Sequence, residues 1–66
     1  MPLTVRQMIT LLEQDGWYLI HQAGGHRQYK HPTKQGRVTV PGGLGRDLPV
    51  GTEGSILRQA GLRRRK

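Results

Sequence analysis

The hydrophobic residues near the amino terminus recur with the spacing of an amphipathic helix. They occupy positions i, i+3, i+4 and i+7, as Val5, Met8, Ile9 and Leu12. Thr4 and Gln7 have the S/T-x-x-E/Q spacing of a capping box. Gly16 suits the left-handed position that commonly follows a last helical turn. The pattern predicts a helix over about residues 5–15.

Three short segments after this helix have the composition of β-strands. Residues 17–22 are mostly aromatic and aliphatic, residues 26–31 stop at Pro32, and residues 37–40 alternate before Pro41. The segments between them are rich in glycine and polar residues, which suit tight turns. The sequence therefore predicts a three-stranded antiparallel meander.

A turn-rich loop over residues 41–51 leads from the sheet to a second predicted helix. Thr52 is placed to cap this helix and Gly61 to end it. Its apolar positions are Ile56, Leu57 and Ala60. The element order is α-β-β-β-α, which predicts an α+β fold with two helices on one face of the sheet.

Strand periodicity divides the strand residues between two faces of the sheet. The residues expected to face the helices are Trp17, Leu19, Tyr29, Val38 and Val40. The residues expected on the opposite, open face are Tyr18, Ile20, Gln22, His26, Gln28, Lys30, Arg37 and Thr39. The open face is therefore predicted to be polar and basic.

Charge and composition narrow the function. The chain of 66 residues has 11 Lys and Arg against 4 Asp and Glu, a net charge of +7. Such a balance favours a polyanionic partner, nucleic acid first. The absence of cysteine excludes disulfides, zinc–thiolate sites and a thiol nucleophile. No apolar run approaches the ~20 residues that would span a membrane.

The charge is distributed unevenly along the chain. Residues 63–66 form a basic tail, predicted to be disordered, after a single domain over residues 1–62. No carboxylate lies between Asp15 and Asp47. That interval contains five cations and three histidines: Arg27, Lys30, Lys34, Arg37, Arg46, His21, His26 and His31. The middle of the chain carries one sign of charge, although charge runs are often only solvated surface.

Metal and phosphate-loop chemistry are poorly supported. Carboxylates are too few for a two-metal site, and histidines spaced by five project to different faces. The glycines of residues 42–45 lack the G-K-[S/T] of a phosphate loop. What remains is metal-free acid–base catalysis on RNA, whose 2′-hydroxyl is a built-in nucleophile. His26, near Arg27 and Lys30, is the candidate, although a lone surface histidine is often merely polar.

Several motifs, in one register over residues 3–62, resemble the HicA toxin family. They are Gly16-Trp17-Tyr18-Leu19-Ile20, Gly24-Gly25-His26-Arg27-Gln28-Tyr29-Lys30-His31-Pro32, Val38-Thr39-Val40-Pro41 and Gly51-Thr52 with Ser55-Ile56-Leu57-Arg58-Gln59-Ala60-Gly61-Leu62. The resemblance implies a double-stranded-RNA-binding-like fold. It also implies the toxin of a type II toxin–antitoxin system, a cytoplasmic mRNA interferase that inhibits translation and growth without a metal or cofactor.

The resemblance also implies a site and partners. The histidine of the family's G-S-H motif is catalytic and falls on His26. The RNA-binding candidates around it are Arg27, Lys30, Arg37, Tyr18 and Gln28. The partners are an mRNA substrate and a HicB-like antitoxin that covers the His26 face, with no membrane. Operator DNA is a partner only indirectly, because the antitoxin represses the shared operon.

The chain departs from the family pattern at two places. Gly25 stands where the family has serine, which removes a hydroxyl next to His26. The third strand runs into Pro41-Gly42-Gly43, whereas many members have V-P-H-P. A second histidine is thus absent there, and Lys30, Arg27 or water would assist His26.

Other functions remain open from sequence alone. The same fold can bind duplex RNA without catalysis, although the second helix offers only Arg58 before the tail. A structural or ribosome-associated protein could use the basic tail. Tyr18 could stack on a base, or Tyr18 and Ile20 could together be an apolar contact for the antitoxin.

Overall fold

The computed structural model describes residues 3–62, so the predicted disorder of the 63–66 tail lies outside the described residues. The elements, in chain order, are α1 (Val5–Gln14), β1 (Tyr18–Ala23), β2 (His26–Lys30), β3 (Val38–Pro41) and α2 (Val50–Ala60). The strands form one antiparallel sheet in the order β1-β2-β3. The predicted α-β-β-β-α fold is confirmed. Within residues 3–62, no helix has the length and apolar character needed to span a bilayer.

Helix α1 begins and ends as its local sequence predicts. The Thr4 hydroxyl accepts from the Gln7 amide at 3.1 Å, and the Gln7 side chain accepts from the Thr4 amide at 2.9 Å, a complete capping box. Gly16 follows the helix with φ of 105°. The next amide, that of Trp17, donates back to the Leu12 carbonyl at 3.0 Å, which carries the chain directly from the helix into the sheet.

Helix α2 begins earlier than predicted, because its cap is Pro49 and not Thr52. It starts at Val50 after Pro49, and the Glu53 amide donates to the Pro49 carbonyl at 2.8 Å. The prediction that Thr52 caps the helix is therefore wrong: the cap is Pro49, whose carbonyl accepts this first bond, and Thr52 lies inside the first turn. Gly61, with φ of 71°, ends the helix as predicted.

The core lies between the helices and one face of the sheet. Its buried side chains are Val5, Met8, Leu12, Trp17, Tyr29, Val38, Val40, Leu48, Ile56, Leu57 and Ala60. Both helices pack chiefly against β3, the edge of the sheet away from β1. Four of the five predicted inward residues are buried, and the fifth, Leu19, is 45% exposed. Leu19 pairs with the buried Tyr29 and so faces the helix side, but β1 extends beyond the helices that would cover it.

A β-bulge interrupts β1 and changes the faces of the residues that follow it. Leu19 pairs with Tyr29 and His21 pairs with Gln28, so Ile20 is the extra residue on this strand. Because the side-chain alternation has a period of two, one extra residue exchanges the faces of all later positions. Gln22, predicted on the open face, is therefore on the helix side, and His21 moves to the open face.

The loop between β3 and α2 is hydrogen-bonded to the start of α1. The amide of Val5 donates to the Arg46 carbonyl at 2.8 Å, and the amide of Arg6 donates to the Leu44 carbonyl at 3.1 Å. These two bonds fix the loop against the amino-terminal end of α1.

Candidate functional site

The open face of the sheet is the surface that the helices leave uncovered. Cross-strand partners lie on the same face, so the strand pairings define its members. They are Tyr18, His21, Ala23, His26, Gln28, Lys30, Thr39 and Pro41. The rows across the sheet are Ala23–His26–Pro41 at the hairpin end, His21–Gln28–Thr39 in the middle, and Tyr18–Lys30 at the far end. The structure thus brings together His26, Gln28, Lys30 and Tyr18, as periodicity predicts.

His26 is the first residue of β2 and its side chain is exposed. It follows the two-residue turn Gly24–Gly25, in which Gly24 has φ of 56°. The carbonyl of Gly25 accepts from the Gly42 amide at 2.6 Å, which attaches the turn to the chain leaving β3. The side chain of His26 is therefore exposed to solvent, but its backbone lies between two strands, paired with Ala23 on one side and Pro41 on the other.

Arg27 lies on the other face of β2 from His26. It pairs with the buried Val40, is half-buried, and donates from Nη1 to the Gly42 carbonyl at 3.2 Å. The structure therefore does not bring Arg27 together with His26. The Arg27 guanidinium instead binds the carbonyl of Gly42, and the amide of Gly42 binds the hairpin turn. Arg27 therefore contacts the backbone that supports the turn before His26.

Arg37 and Lys30 supply positive charge at the far end of the open face. Arg37 precedes β3 and is exposed, and its Nη1 donates to Oε1 of Gln28 at 3.4 Å. Lys30 is also exposed and lies four residues beyond His26 on β2, about 13 Å away at the usual rise per residue. Two cations thus lie together at one end of the open face, on the side of the middle row away from His26.

All four carboxylate side chains of the chain lie away from the open face. Glu13 is on α1, Asp47 is bridged to Thr4, and Glu53 is buried on α2, where it accepts from the Leu3 amide at 2.9 Å. The fourth, Asp15, follows α1 and binds a lysine. Since the carboxylates are held elsewhere, nothing among the described side chains of the open face offsets its positive charge.

His31 is a structural residue, in agreement with its interpretation as a strand end. Its side chain is only 9% exposed and packs edge-on against Trp17 at 5.2 Å between ring centroids. Nδ1 accepts from the amides of Thr33 and Lys34 at 3.0 and 3.1 Å, while Nε2 lies 2.6 Å from the Asp15 carbonyl. A carbonyl can only accept, so these partners assign the proton to Nε2 and make the imidazole neutral.

Lys34 connects the carboxyl ends of the two helices. Its Nζ donates to Asp15 Oδ2 at 2.5 Å and to the Ala60 carbonyl at 2.8 Å. The hydrogen bond from this ammonium is the main reason that the pKa of Asp15 lies below its usual value, and the Trp17 indole N–H adds to the effect. The charge of Lys34 is therefore paired with that of Asp15 at the helix ends and is not part of the open face.

His21 is the histidine of the open face that sequence reasoning missed. Strict alternation from Tyr18 assigns it to the helix side, whereas the bulge at Ile20 places it opposite Gln28. The available signal is the run Tyr18-Leu19-Ile20, because three consecutive large apolar residues break strand alternation.

Within residues 3–62, no group of three histidine or acidic side chains could hold a metal ion.

The fold and the face define a small α+β domain that presents histidine and positive charge on an open sheet. The family model described as HicA toxin of bacterial toxin–antitoxin matches residues 5–62, so the chain belongs to the HicA toxin family. A solved structure of a toxin–antitoxin complex from Streptococcus pneumoniae contains a similar chain. It is 31% identical, with a TM-score of 0.74, over 92% of this chain and 100% of that one. No curated protein matches the sequence.

Proposed function

We propose that the chain is a metal-independent endoribonuclease toxin that cleaves mRNA in the cytoplasm and so inhibits translation and growth. The observation that carries the proposal is the exposed His26 on a cationic face whose described side chains include no carboxylate, in a member of the HicA family. RNA is the expected substrate because its 2′-hydroxyl is a built-in nucleophile, so the protein needs to supply only proton transfer and charge stabilisation.

The proposed reaction is a transesterification at phosphorus. His26 takes the proton from the 2′-hydroxyl, the 2′-oxygen attacks the adjacent phosphate, the bond to the 5′-oxygen breaks, and the departing 5′-oxygen takes up a proton. The products are a 2′,3′-cyclic phosphate and a 5′-hydroxyl. Gln28, Lys30 and Arg37 would bind phosphate oxygens, and Tyr18 would stack on a base. Arg27 would act through the backbone that it holds, because it lies on the other face.

The proposed protein partner is a HicB-like antitoxin that covers the open face. The similar pneumococcal chain was solved in a toxin–antitoxin complex, which supports such a partner here. The edge strand β1 adds an apolar contact surface, since Tyr18, Leu19 and Ile20 are 39–49% exposed, with Tyr18 at the end of the open face away from His26. An antitoxin with acidic residues would complement the positive charge. Binding to operator DNA would then occur through the antitoxin.

The proposal is tested with purified protein and mRNA in EDTA. Wild-type protein should cleave, His26→Ala and His26→Gln should not, and the product ends should be a cyclic phosphate and a 5′-hydroxyl. Lys30→Ala should weaken cleavage and its salt dependence, whereas Arg58→Ala, an exposed cation on α2, should leave both unchanged. Cleavage that survives the loss of His26, or that needs added Mg²⁺, would refute the mechanism.

The same samples separate this function from a non-catalytic double-stranded-RNA-binding module. Such a module would bind duplex RNA tightly without cutting any RNA, and its affinity would fall when Arg58 on α2 is removed. The toxin should prefer single-stranded mRNA, and its affinity for that RNA should fall when Lys30 or Arg37 is replaced by alanine. A gel-shift series with duplex and single-stranded RNA gives the answer directly.

A further inference from the structure

Cleavage of RNA by this route needs two proton transfers, one from the 2′-hydroxyl and one to the departing 5′-oxygen. A single imidazole at one position serves one of these transfers well, because attacking and leaving oxygens lie on opposite sides of the phosphorus. If His26 removes the first proton, a second group should supply the other. The identity of that second group rests on the proposed ribonuclease function.

The strand pairings leave few candidates for the second group near His26. Its partners across the sheet are Ala23 and Pro41, which carry no side-chain proton donor. Arg27 lies on the other face and donates to Gly42. Water and distant cations aside, the donor must come from the next row.

Lys30 is a poor candidate on distance. It lies two rows from His26, about 13 Å along β2 at the usual rise per residue, whereas His21 lies in the neighbouring row. An ammonium there suits a flanking phosphate better than the one that His26 attacks. The guanidinium of Arg37 stays protonated in proteins and so cannot donate and regain a proton.

The bulge at Ile20 places His21 in the middle row, opposite Gln28 and diagonal to His26. Diagonal neighbours on one face have Cα atoms about 7–8 Å apart, within reach of two imidazole side chains that approach one phosphate. Both histidines are exposed, so an RNA strand can reach them together. We propose that His21 is the general acid of the reaction.

Gln28 lies in the same row as His21 and completes the arrangement. Arg37 donates to its Oε1 at 3.4 Å, which orients the amide so that its NH₂ group is available to a phosphate oxygen. The phosphate would then lie above Gln28, between the two imidazoles. This hydrogen bond holds the Arg37 guanidinium beside Gln28, where its positive charge would attract the same phosphate.

Protons and bonds balance over the step. Neutral His26 takes the 2′-hydroxyl proton while the O2′–P bond forms, and the imidazolium of His21 gives its proton to the 5′-oxygen while the P–O5′ bond breaks. His26 ends protonated and His21 neutral, and exchange with water restores both states. A histidine is suited to both roles because its two protonation states are accessible near neutral pH.

The test uses two matched oligonucleotide substrates, one with the natural 5′-oxygen and one with a bridging 5′-sulfur at the cleaved bond. A thiolate leaves without protonation, so it needs no general acid. His21→Ala and His21→Gln should lower kcat on the oxygen substrate about 10²- to 10⁴-fold but cleave the sulfur substrate within a few-fold of wild type. His26→Ala should be impaired on both substrates.

The possible outcomes distinguish the two histidines. Equal impairment of the His21 variants on both substrates, or normal cleavage of the oxygen substrate, overturns the role of His21 while leaving His26 and the proposed function intact. A wild-type protein that cleaves neither substrate overturns the proposed function and the role of His21 with it. His21 is exposed on the edge strand, so circular dichroism should show all variants folded.

Discussion

Replacing His31 by alanine removes the side chain that joins the end of α1 to the loop after β2. The substitution deletes the hydrogen bonds to the Asp15 carbonyl and to the amides of Thr33 and Lys34, together with the edge contact on Trp17. The side chain is 9% exposed, so water replaces these contacts only in part. We expect this variant to be the least stable of the three single histidine-to-alanine variants.

The size of the loss follows from the contacts. A net hydrogen bond contributes about 1 kcal/mol, and the aromatic contact adds about 0.5–1.5 kcal/mol. Allowing for partial hydration of the two amides, His31→Ala should lose about 2–4 kcal/mol of unfolding free energy. A domain of 66 residues has roughly 0.05–0.15 kcal/mol per residue, or about 3–10 kcal/mol in total. The corresponding fall in Tm is about 15–30 °C.

Urea unfolding followed by tryptophan fluorescence measures this directly, since Trp17 contacts the His31 ring. His21→Ala is the matched control, because the same substitution at an exposed position of β1 should change stability by less than about 0.5 kcal/mol. Equal and small losses in the two variants would refute the structural role of His31. Any RNA cleavage should survive His31→Ala at temperatures where the variant stays folded.

Three other substitutions test the fold around the site. Gly25→Ser should be neutral within about 0.5 kcal/mol by thermal unfolding, because Gly25 has no positive φ and an added Cβ would lie 3.9 Å from its nearest neighbours; a loss above about 1 kcal/mol would show that the turn requires glycine. Gly16→Ala should lower the free energy of unfolding by at least about 1 kcal/mol more than Gly36→Ala does. Both glycines have positive φ, but only at Gly16 would an added Cβ lie 2.9 Å from the His31 ring. Equal losses in the two variants would contradict that contact. The hydrogen bond from Lys34 lowers the pKa of Asp15 in the folded state below its ordinary value of 3.8. The ionised Asp15 should therefore stabilise the fold fully above pH 3.8, and this stabilisation should be lost as the pH falls through the lower pKa of the folded state. Unfolding free energies across the acidic range should therefore fall more steeply for wild type than for Asp15→Asn, and parallel curves would argue against the ion pair.

Much of the architecture could be predicted because it depends on residues close together in sequence. The Thr4–Gln7 capping box and the glycines at 16 and 61 act within a few residues of where they stand, and the structure has them as predicted. The predicted start of α2 is wrong although it is local too. Thr52 and Pro49 are both acceptable helix starts, and the bond from the Glu53 amide to the Pro49 carbonyl belongs to the earlier one.

The candidate site could be predicted in part. Alternation along β2 places His26, Gln28 and Lys30 on one face, because that strand has no irregularity. The role of the Arg27 side chain could not be derived from its place next to His26. It depends on Gly42, a residue 15 positions away that the fold brings to the hairpin.

The sequence by itself determined the order of the elements, the ends of the first helix and a central segment with positive charge and no carboxylate. Only the tertiary structure decided that His21 joins His26 on the open surface and that His31 is enclosed. A bulge in β1 places His21 on the open face, and contacts with Asp15 and Trp17 enclose His31. The helices pack on β3, which leaves Leu19 uncovered. The reason is physical: strand register and helix placement minimise the free energy of the whole fold, and a pattern of neighbouring residues reports only local preferences.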